Sequence, residues 1–269
     1  MDGARGEVRF DHVSGRLIPS GDAMLYVEEK GSPERPALLL AHGGFGTMED
    51  FNVIVPDLAR RFRLIGLDSR GHGRSSLGES GLSYALLAQD LGRVAGALGL
   101  DAFSVLGFSD GGIAACRLAA QGEPRLDRIV TVGSRWEMRK DDPVYGMLRG
   151  VTGEVWKSMF PDSVKRYMRL NPEPDFERFA AAVTAMWTDL GPGGLPGDLV
   201  GNIENEMFAV RGDDDPLTTL ASMAKLRGVV KNMRFMNIPF AGHAAFDDAP
   251  GAFLDDVFRF LTPPSRSPA

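Results

Sequence analysis

The stretch from Ser104 to Gly112 reads S-V-L-G-F-S-D-G-G, with Ser109 at its centre. Before it, Phe103 to Leu106 is a short apolar run typical of a strand, and after it Ile113 to Ala120 is rich in Ala and Leu, which favours a helix. Ser109 is therefore predicted to lie on a strand-to-helix turn. Gly107 and Gly111 flank Ser109. Glycine is required there for steric reasons, because the strand and the helix approach each other so closely at this sharp turn that a Cβ would clash.

The pattern G-x-S-x-G is weak evidence by itself, because a chain with 33 glycines among 269 residues contains it by chance roughly 0.2 times. The strand before it and the helix after it give it weight. A serine presented on such a turn is typical of a nucleophile whose hydroxyl is activated by a neighbouring base. We therefore predict that Ser109 is a catalytic nucleophile.

The composition is that of one ordinary globular domain, with 43% hydrophobic and 25% charged residues. The formal net charge of -6 and the absence of a clustered basic stretch argue against nucleic acid or an anionic membrane as a partner. The first ten residues, M-D-G-A-R-G-E-V-R-F, contain no apolar signal region, so we expect a cytoplasmic protein. The single cysteine, Cys116, excludes an internal disulfide and is expected to be a small core residue.

Strand and helix candidates alternate through the first half of the chain. Two runs, Ala37 to Ala41 and Arg128 to Gly133, are apolar without alternation, as expected of strands buried on both faces of a parallel sheet. The other candidates are an antiparallel hairpin of Glu7 to Val13 and Met24 to Glu29, helices at Glu49 to Arg61 and Ser83 to Leu98, and a strand from Phe62 to Asp68. This order predicts an α/β fold with a doubly wound, mostly parallel sheet.

The alternation stops between residues 135 and 205, where helical patches are separated by N-P-E-P and G-P-G-G-L-P-G. The patches are Gly150 to Met159, Ser163 to Leu170 and Phe176 to Trp187. After them come a strand from Glu206 to Arg211, a helix from Leu217 to Arg227 and a strand from Met233 to Ile238. We expect the sheet domain to comprise residues 1–134 and 206–269, with residues 135–205 inserted after its sixth strand.

The strand at Ala37 to Ala41 ends in His42-Gly43-Gly44-Phe45-Gly46-Thr47. A glycine-rich turn at the carboxyl end of a strand leaves backbone N–H groups free to point into a cleft. We expect an oxyanion to be bound by an N–H from the turn at Gly44 and Phe45 and by the N–H of Asp110, the residue after the nucleophile. The alternative is a plain tight turn before a helix that begins near Met48.

A serine nucleophile needs a histidine as its base and an acid to orient that histidine. In the chain order Ser, acid, His, which accompanies a serine on such a turn, both residues follow the nucleophile. Of the four histidines only His243 lies after Ser109, in A-G-H behind a predicted strand. Three acids, Asp213, Asp214 and Asp215, follow the strand before that one. Asp189 and Asp198 in the inserted region are minor alternatives.

Five motifs together resemble those of the α/β-hydrolase superfamily, and they occur in the family's order. They are H-G-G-F-G-T at 42 to 47, D-S-R-G-H-G-R-S at 68 to 75, G-F-S-D-G-G at 107 to 112, R-G-D-D-D-P at 211 to 216 and A-G-H at 241 to 243. The S-D-G-G variant is similar to that of small esterases and valacyclovir-hydrolase-like enzymes. The resemblance implies an eight-stranded sheet, a helical cap formed by residues 135–205, and Asp215 as the acid of a catalytic triad with Ser109 and His243.

The triad implied by the resemblance performs acyl transfer without a metal or an organic cofactor. Ester hydrolysis through an acyl-enzyme is the leading interpretation, with a small molecule as the only expected partner. Hydrolysis of a carbon-carbon bond, opening of an enol-lactone and cofactor-free perhydrolysis use the same residues and stay open. Two other classes also stay open: a small-molecule receptor that keeps the triad, and a structural protein that has lost catalysis. Self-association into a homo-oligomer is undecided.

All three tryptophans lie in the inserted region. We expect Trp136, Trp156, Trp187 and Met186 to line a pocket for a hydrophobic acyl or aromatic group, although packing of the cap is an equal alternative. The carboxylate of Asp110 has two interpretations. Either surrounding polar groups satisfy it, or it faces the pocket and favours a substrate with a positive charge.

Overall fold

A computed structural model describes residues 8–262. Its centre is an eight-stranded sheet with the strand order β1-β2-β4-β3-β5-β6-β7-β8. The strands are β1 (Arg16–Ser20), β2 (Ala23–Lys30), β3 (Ala37–Ala41), β4 (Arg63–Leu67), β5 (Phe103–Phe108), β6 (Leu126–Val132), β7 (Glu206–Gly212) and β8 (Met233–Ile238). The pairs β1/β2 and β2/β4 are antiparallel, and all other pairs are parallel.

Helices cover both faces of this sheet, which confirms the predicted α/β fold. They are α1 (Val55–Leu58), α2 (Tyr84–Ala97), α3 (Asp110–Ala120), α4 (Pro143–Arg149), α5 (Gly153–Met159), α6 (Pro161–Leu170), α7 (Phe176–Trp187), α8 (Leu220–Val229), α9 (Ala245–Asp248) and α10 (Pro250–Leu261). Two short 3-10 helices occupy Met48–Phe51 and Gly197–Asn202. No helix within residues 8–262 is both long enough and apolar enough to cross a membrane.

The strand β3 lies in the middle of the sheet, and its apolar run is buried on both faces as predicted. Leu39 belongs to a core cluster that includes side chains of α2, α3 and α8. Leu38 and Leu40 belong to the opposite cluster, with side chains of α1, α9 and α10. Cys116 is buried in the first cluster, and burial raises the pKa of its thiol to about 12. This thiol is therefore a core group, as expected.

The predicted hairpin is present, but its first strand was placed wrongly. The strand that pairs with β2 is β1, Arg16–Ser20, whereas residues 8–15 are irregular; Glu7 lies outside the described residues. The turn between β1 and β2 consists of Gly21 and Asp22, and Gly21 adopts a positive φ of 63°. Pro19 is tolerated because β1 is an edge strand.

The predicted helix from Glu49 to Arg61 is also wrong in its extent. The segment forms the 3-10 turn Met48–Phe51, capped by Thr47, followed by the short helix α1. Pro56 stands in the first turn of α1, where its missing N–H costs nothing. A continuous helix through residue 56 would have required that N–H.

Between β6 and β7 the described chain is helical. Helices α4 to α7 and the second 3-10 helix occupy this stretch, which we call the inserted segment (residues 135–205). Its helices α6 and α7 pack around Phe45 of the glycine-rich turn, in a third apolar cluster that also contains Tyr167 and Phe179. The inserted segment is thereby held against the carboxyl ends of the central strands.

Candidate active site

Ser109 lies at the junction of β5 and α3, with φ 49° and ψ -115°. This backbone conformation is rare for a residue with a side chain, and it is maintained by close packing around it. A Cβ on Gly111 would lie 2.0 Å from the carbonyl oxygen of Ala41, and one on Gly107 would lie 2.5 Å from the backbone of Gly111. The steric reason given for both glycines therefore holds in the structure.

Three side chains from distant parts of the sequence form a hydrogen-bonded chain at this turn. The Ser109 Oγ lies 3.1 Å from Nε2 of His243, and Nδ1 of the same ring lies 3.0 Å from Oδ1 of Asp215. In the neutral imidazole, the hydrogen on Nδ1 is the one that the carboxylate accepts, so Nε2 is the acceptor for the serine hydroxyl. This is the arrangement in which a histidine can remove a proton from a serine.

Of the three candidate acids only Asp215 reaches the histidine. It is buried at the end of β7, and its Oδ1 also accepts the N–H of Leu217 at 2.8 Å. Asp213 and Asp214 are exposed, and the Asp213 carboxylate binds Asn237 instead. In the inserted segment, Asp189 accepts the N–H of Gly191, and neither it nor Asp198 contacts His243 by a hydrogen bond.

The electrostatics at Asp215 favour the ionised acid. Burial alone would raise its pKa, but the hydrogen bond and charge of His243 and the N–H of Leu217 outweigh burial and lower the pKa below its usual value. Asp215 is therefore a carboxylate over the neutral pH range, and it can both orient the imidazole and stabilise it when protonated.

The expected oxyanion donors are only partly available. The N–H of Phe45 donates to Nε2 of His72 at 3.1 Å, so it points away from Ser109 and the expectation for Phe45 is corrected. Among the described residues, no hydrogen bond takes up the N–H of Gly44 or of Asp110. These two N–H groups are therefore available to another acceptor, whereas the N–H of Phe45 is not.

A cavity of about 570 Å³ lies above Ser109 and His243, and its walls are mostly apolar. This volume is in the usual range for a small-molecule site. The inserted segment supplies much of the wall, including Met138, Met147, Leu148, Trp156, Met159 and Trp187. A substrate with an apolar group beside its reacting carbonyl would fit these surroundings.

Two of the four predicted pocket residues line this cavity and two do not. Trp156 and Trp187 are in the wall. Trp136 is buried elsewhere, and its indole N–H donates to the backbone oxygen and hydroxyl of Ser222 in α8. Met186 is fully buried in the main core, because adjacent residues of a helix point in directions about 100° apart and Trp187 takes the cavity side.

The Asp110 carboxylate lies beside the cavity but is well provided with donors. Tyr84 donates its hydroxyl at 2.8 Å, and the indole N–H of Trp187 contacts both carboxylate oxygens at 3.0 and 2.8 Å. Burial raises the pKa of Asp110, and these hydrogen bonds partly offset that effect. The contacts favour the first interpretation of Asp110, a polar group satisfied by its surroundings.

Sequence reasoning missed Tyr84 and Arg135, which also line the cavity. Tyr84 is the first residue of α2, and Arg135 follows β6, where its guanidinium binds the backbone oxygen of Leu217 and the carboxylate of Asp142. Neither residue belongs to a motif, so no local signal could have marked it. Within residues 8–262, no group of three or more His, Cys, Asp or Glu side chains could hold a metal ion.

Comparison with known proteins agrees with this architecture. The family described as alpha/beta hydrolase fold matches residues 36–186, more than half of the chain, and the protein belongs to that family of hydrolases. Esterase YbfF of Escherichia coli (strain K12) is 29% identical over 236 residues, which cover 83% of this chain and 92% of YbfF. A 2-(acetamidomethylene)succinate hydrolase of Mesorhizobium japonicum is 21% identical, over 95% of this chain and 98% of its own.

A solved structure shows the same fold over almost the whole chain. The meta-cleavage product hydrolase of Pseudomonas fluorescens IP01 superposes with a TM-score of 0.76, covering 92% of this chain and 97% of that one. The two sequences are 19% identical. This likeness therefore concerns the fold and not the substrate.

Proposed function

We propose that the protein is a serine hydrolase that cleaves carboxylic esters with an apolar acyl or aromatic group. The observation that carries the proposal is the hydrogen-bonded chain from Ser109 through His243 to Asp215 at the base of an apolar cavity. Similarity to esterase YbfF over most of the chain supports ester hydrolysis among the reactions open to this family.

In the proposed mechanism, Ser109 Oγ attacks the ester carbonyl while Nε2 of His243 accepts the serine proton. Asp215 holds the imidazole in the required tautomer and stabilises the imidazolium. The protonated histidine then gives the proton to the leaving alkoxide. A water molecule, deprotonated by the same nitrogen, hydrolyses the acyl-enzyme and restores the serine.

The negative charge on the former carbonyl oxygen would be stabilised by the N–H groups of Gly44 and Asp110. Each donor of this type contributes roughly 3 kcal/mol to the transition state. The inserted segment acts in this proposal as a cap, since its side chains form much of the apolar wall of the cavity above Ser109.

The experiment begins with labelling by a fluorophosphonate and with a series of p-nitrophenyl esters of increasing acyl length. Ser109→Ala should lose both the labelling and the ester turnover. Ser158→Ala, at an exposed serine of α5, is the matched control and should keep both. A folded Ser109→Ala variant with turnover near that of the wild type would refute the assignment of the nucleophile.

The same experiment separates the other functions. A hydrolase of carbon-carbon bonds or lactones would be labelled at Ser109 but would turn over the esters poorly. A receptor would retain the acyl or ligand group after one slow turnover, which intact-mass measurement detects. The relative from Mesorhizobium japonicum is named for a substrate that is not a simple ester, which is the reason to include non-ester substrates.

A further inference from the structure

His72 is a buried histidine that the proposed mechanism does not use. It belongs to the G-H-G sequence after β4 and is only 2% exposed. Its Nδ1 lies 2.9 Å from the carbonyl oxygen of Arg70, and its Nε2 lies 3.1 Å from the backbone nitrogen of Phe45. Since the N–H of Phe45 can only donate, Nε2 is the acceptor and Nδ1 carries the hydrogen. The ring is therefore neutral and held in one tautomer.

Phe45 needs such a partner because its backbone is in an unfavourable conformation. Its φ is 58°, in the left-handed region that a residue with a large side chain seldom adopts. The residue is buried, and its N–H would be left unsatisfied if the imidazole were removed. On the other side, its carbonyl oxygen accepts the hydroxyl of Ser163 from α6. His72 thus fixes the peptide that joins Gly44 to Phe45.

The preceding peptide, from Gly43 to Gly44, is fixed in a similar way. The Gly43 carbonyl oxygen accepts a hydrogen from Nδ1 of His42 at 2.7 Å and from the N–H of Gly46 at 3.1 Å. In a trans peptide the C=O and N–H groups point in opposite directions, so this contact aims the N–H of Gly44 away from His42. The two planes meet at the Cα of Gly44, and a rotation of either one moves the other.

We propose that His72 is a positioning residue for the oxyanion-binding N–H of Gly44. By accepting the N–H of Phe45, it holds the second peptide plane, keeps Phe45 in its left-handed conformation and leaves the Gly44 N–H directed at Ser109. This inference rests on the proposed function. It gives His72 a role in stabilising the transition state, although His72 itself does not contact the substrate.

Two variants separate the two hydrogen bonds of the ring. The amide of Gln reaches about as far as Nε2, so His72→Gln retains an acceptor for the N–H of Phe45. The shorter His72→Asn places its amide near the position of Nδ1, so it retains the contact with the Arg70 carbonyl and loses the one with Phe45. His72→Asn should lower kcat by about 10- to 100-fold with KM changed by less than about threefold, because oxyanion donors act in the transition state.

His72→Gln should recover kcat to within about threefold of the wild type. A trifluoromethyl ketone, which forms a tetrahedral oxyanion adduct with a nucleophilic serine, gives an independent measurement. Across the variants its inhibition constant should weaken in proportion to the fall in kcat/KM. A purely structural role would not produce this proportionality. His12→Gln, which weakens the ion pairs with Glu49 and Asp68 and removes no hydrogen bond of residues 43–45, is the control for stability and should leave kcat unchanged.

Each outcome has a separate meaning. If the wild type neither turns over esters nor is labelled at Ser109, the proposed function is refuted, and this inference is refuted with it. Normal wild-type activity together with an unchanged kcat in His72→Asn would overturn the role of His72. If His72→Asn does not fold, the Gln variant decides, and a fall in its kcat of more than about tenfold overturns the proposal.

Discussion

Raising the pH above neutrality should destabilise the protein through one buried side chain, His12. Its Nδ1 lies 2.9 Å from a carboxylate oxygen of Glu49, and its Nε2 lies 2.8 Å from one of Asp68. The imidazole and the Asp68 carboxylate are both buried, whereas the Glu49 side chain is 26% exposed, so the pair with Asp68 is the one shielded from water. Each carboxylate accepts a hydrogen only if its nitrogen carries one, and the folded protein therefore favours the imidazolium.

The magnitude follows from the pKa. Burial by itself lowers the pKa of His12, but the hydrogen bonds and charges of Asp68 and Glu49 outweigh it and raise the pKa from 6.5 to about 9. Between these values the folded chain holds one proton more than the unfolded chain, so its stability falls as pH rises, by about 1.4 kcal/mol per pH unit. The contribution is fully present below pH 6.5, is lost through about pH 9, and amounts to at most about 3 kcal/mol.

Urea unfolding of the wild type and of His12→Gln at about pH 6, 7.5 and 9 measures this effect. The glutamine is neutral at every pH, so the free energy that separates the two proteins should shrink steadily with rising pH. Titrating groups that do not contact His12 are shared by the two proteins and cancel in the difference, and the carboxylates of Glu49 and Asp68 are expected to stay ionised over this pH range. A difference that stays constant from about pH 6 to 9 would show that His12 is not a charged partner of Asp68 and Glu49.

Two further sets of variants test the site itself. Asp215→Asn should lower ester turnover by roughly 10⁴, because the amide would favour the wrong tautomer of His243, whereas Asp213→Asn should lower it only slightly. The reverse pattern in steady-state kinetics would assign the role of the acid to Asp213. Trp156→Ala enlarges the cavity, so the p-nitrophenyl ester series should shift towards longer acyl chains. Trp136→Phe should leave that preference unchanged and cost about 1–3 kcal/mol of stability in urea unfolding, because the hydrogen bonds to Ser222 are lost and the smaller ring leaves space in the core.

The parts of the fold that the sequence predicts well are those set by local pattern. The run Ala37–Ala41 is apolar at every position and forms a strand buried on both faces. The turn at Ser109 is local at Gly107, where a Cβ would meet the backbone of Gly111, although the glycine at 111 is required by Ala41 of β3. In such places the nearest neighbours in sequence are also the partners that decide the conformation.

The N-terminal segment shows where this reasoning fails. Residues 8–11, Val-Arg-Phe-Asp, alternate between apolar and polar side chains as a strand does, yet they form no strand. Phe10 packs against β4, where a Cβ on Gly66 would lie 2.7 Å from its ring. His12 binds Asp68, 56 residues further along the chain. These distant contacts determine the path of the segment, and alternation within it carries no information about them.

The tryptophans illustrate the same point inside the site. Composition gave the same prediction for Trp136 and Trp187, since both lie in the inserted segment. The indole N–H of Trp136 donates to Ser222, 86 residues away, whereas that of Trp187 donates to Asp110, 77 residues away. Which tryptophan lines the cavity is decided by these partners, and nothing in the sequence shows which indole reaches which partner.

The contact between Trp187 and Asp110 bears on catalysis because of where the charge lies. A free carboxylate beside the N–H groups of Gly44 and Asp110 would repel the oxyanion that they are proposed to bind. Trp187 and Tyr84 direct donors at the carboxylate oxygens, and these donors disperse the charge and hold the side chain in place. Because both oxygens already accept hydrogen bonds, a substrate does not have to supply a cation to compensate for burying Asp110. These contacts agree with the neutral esters proposed as substrates, and Trp187 of the inserted segment both binds Asp110 and lines the cavity.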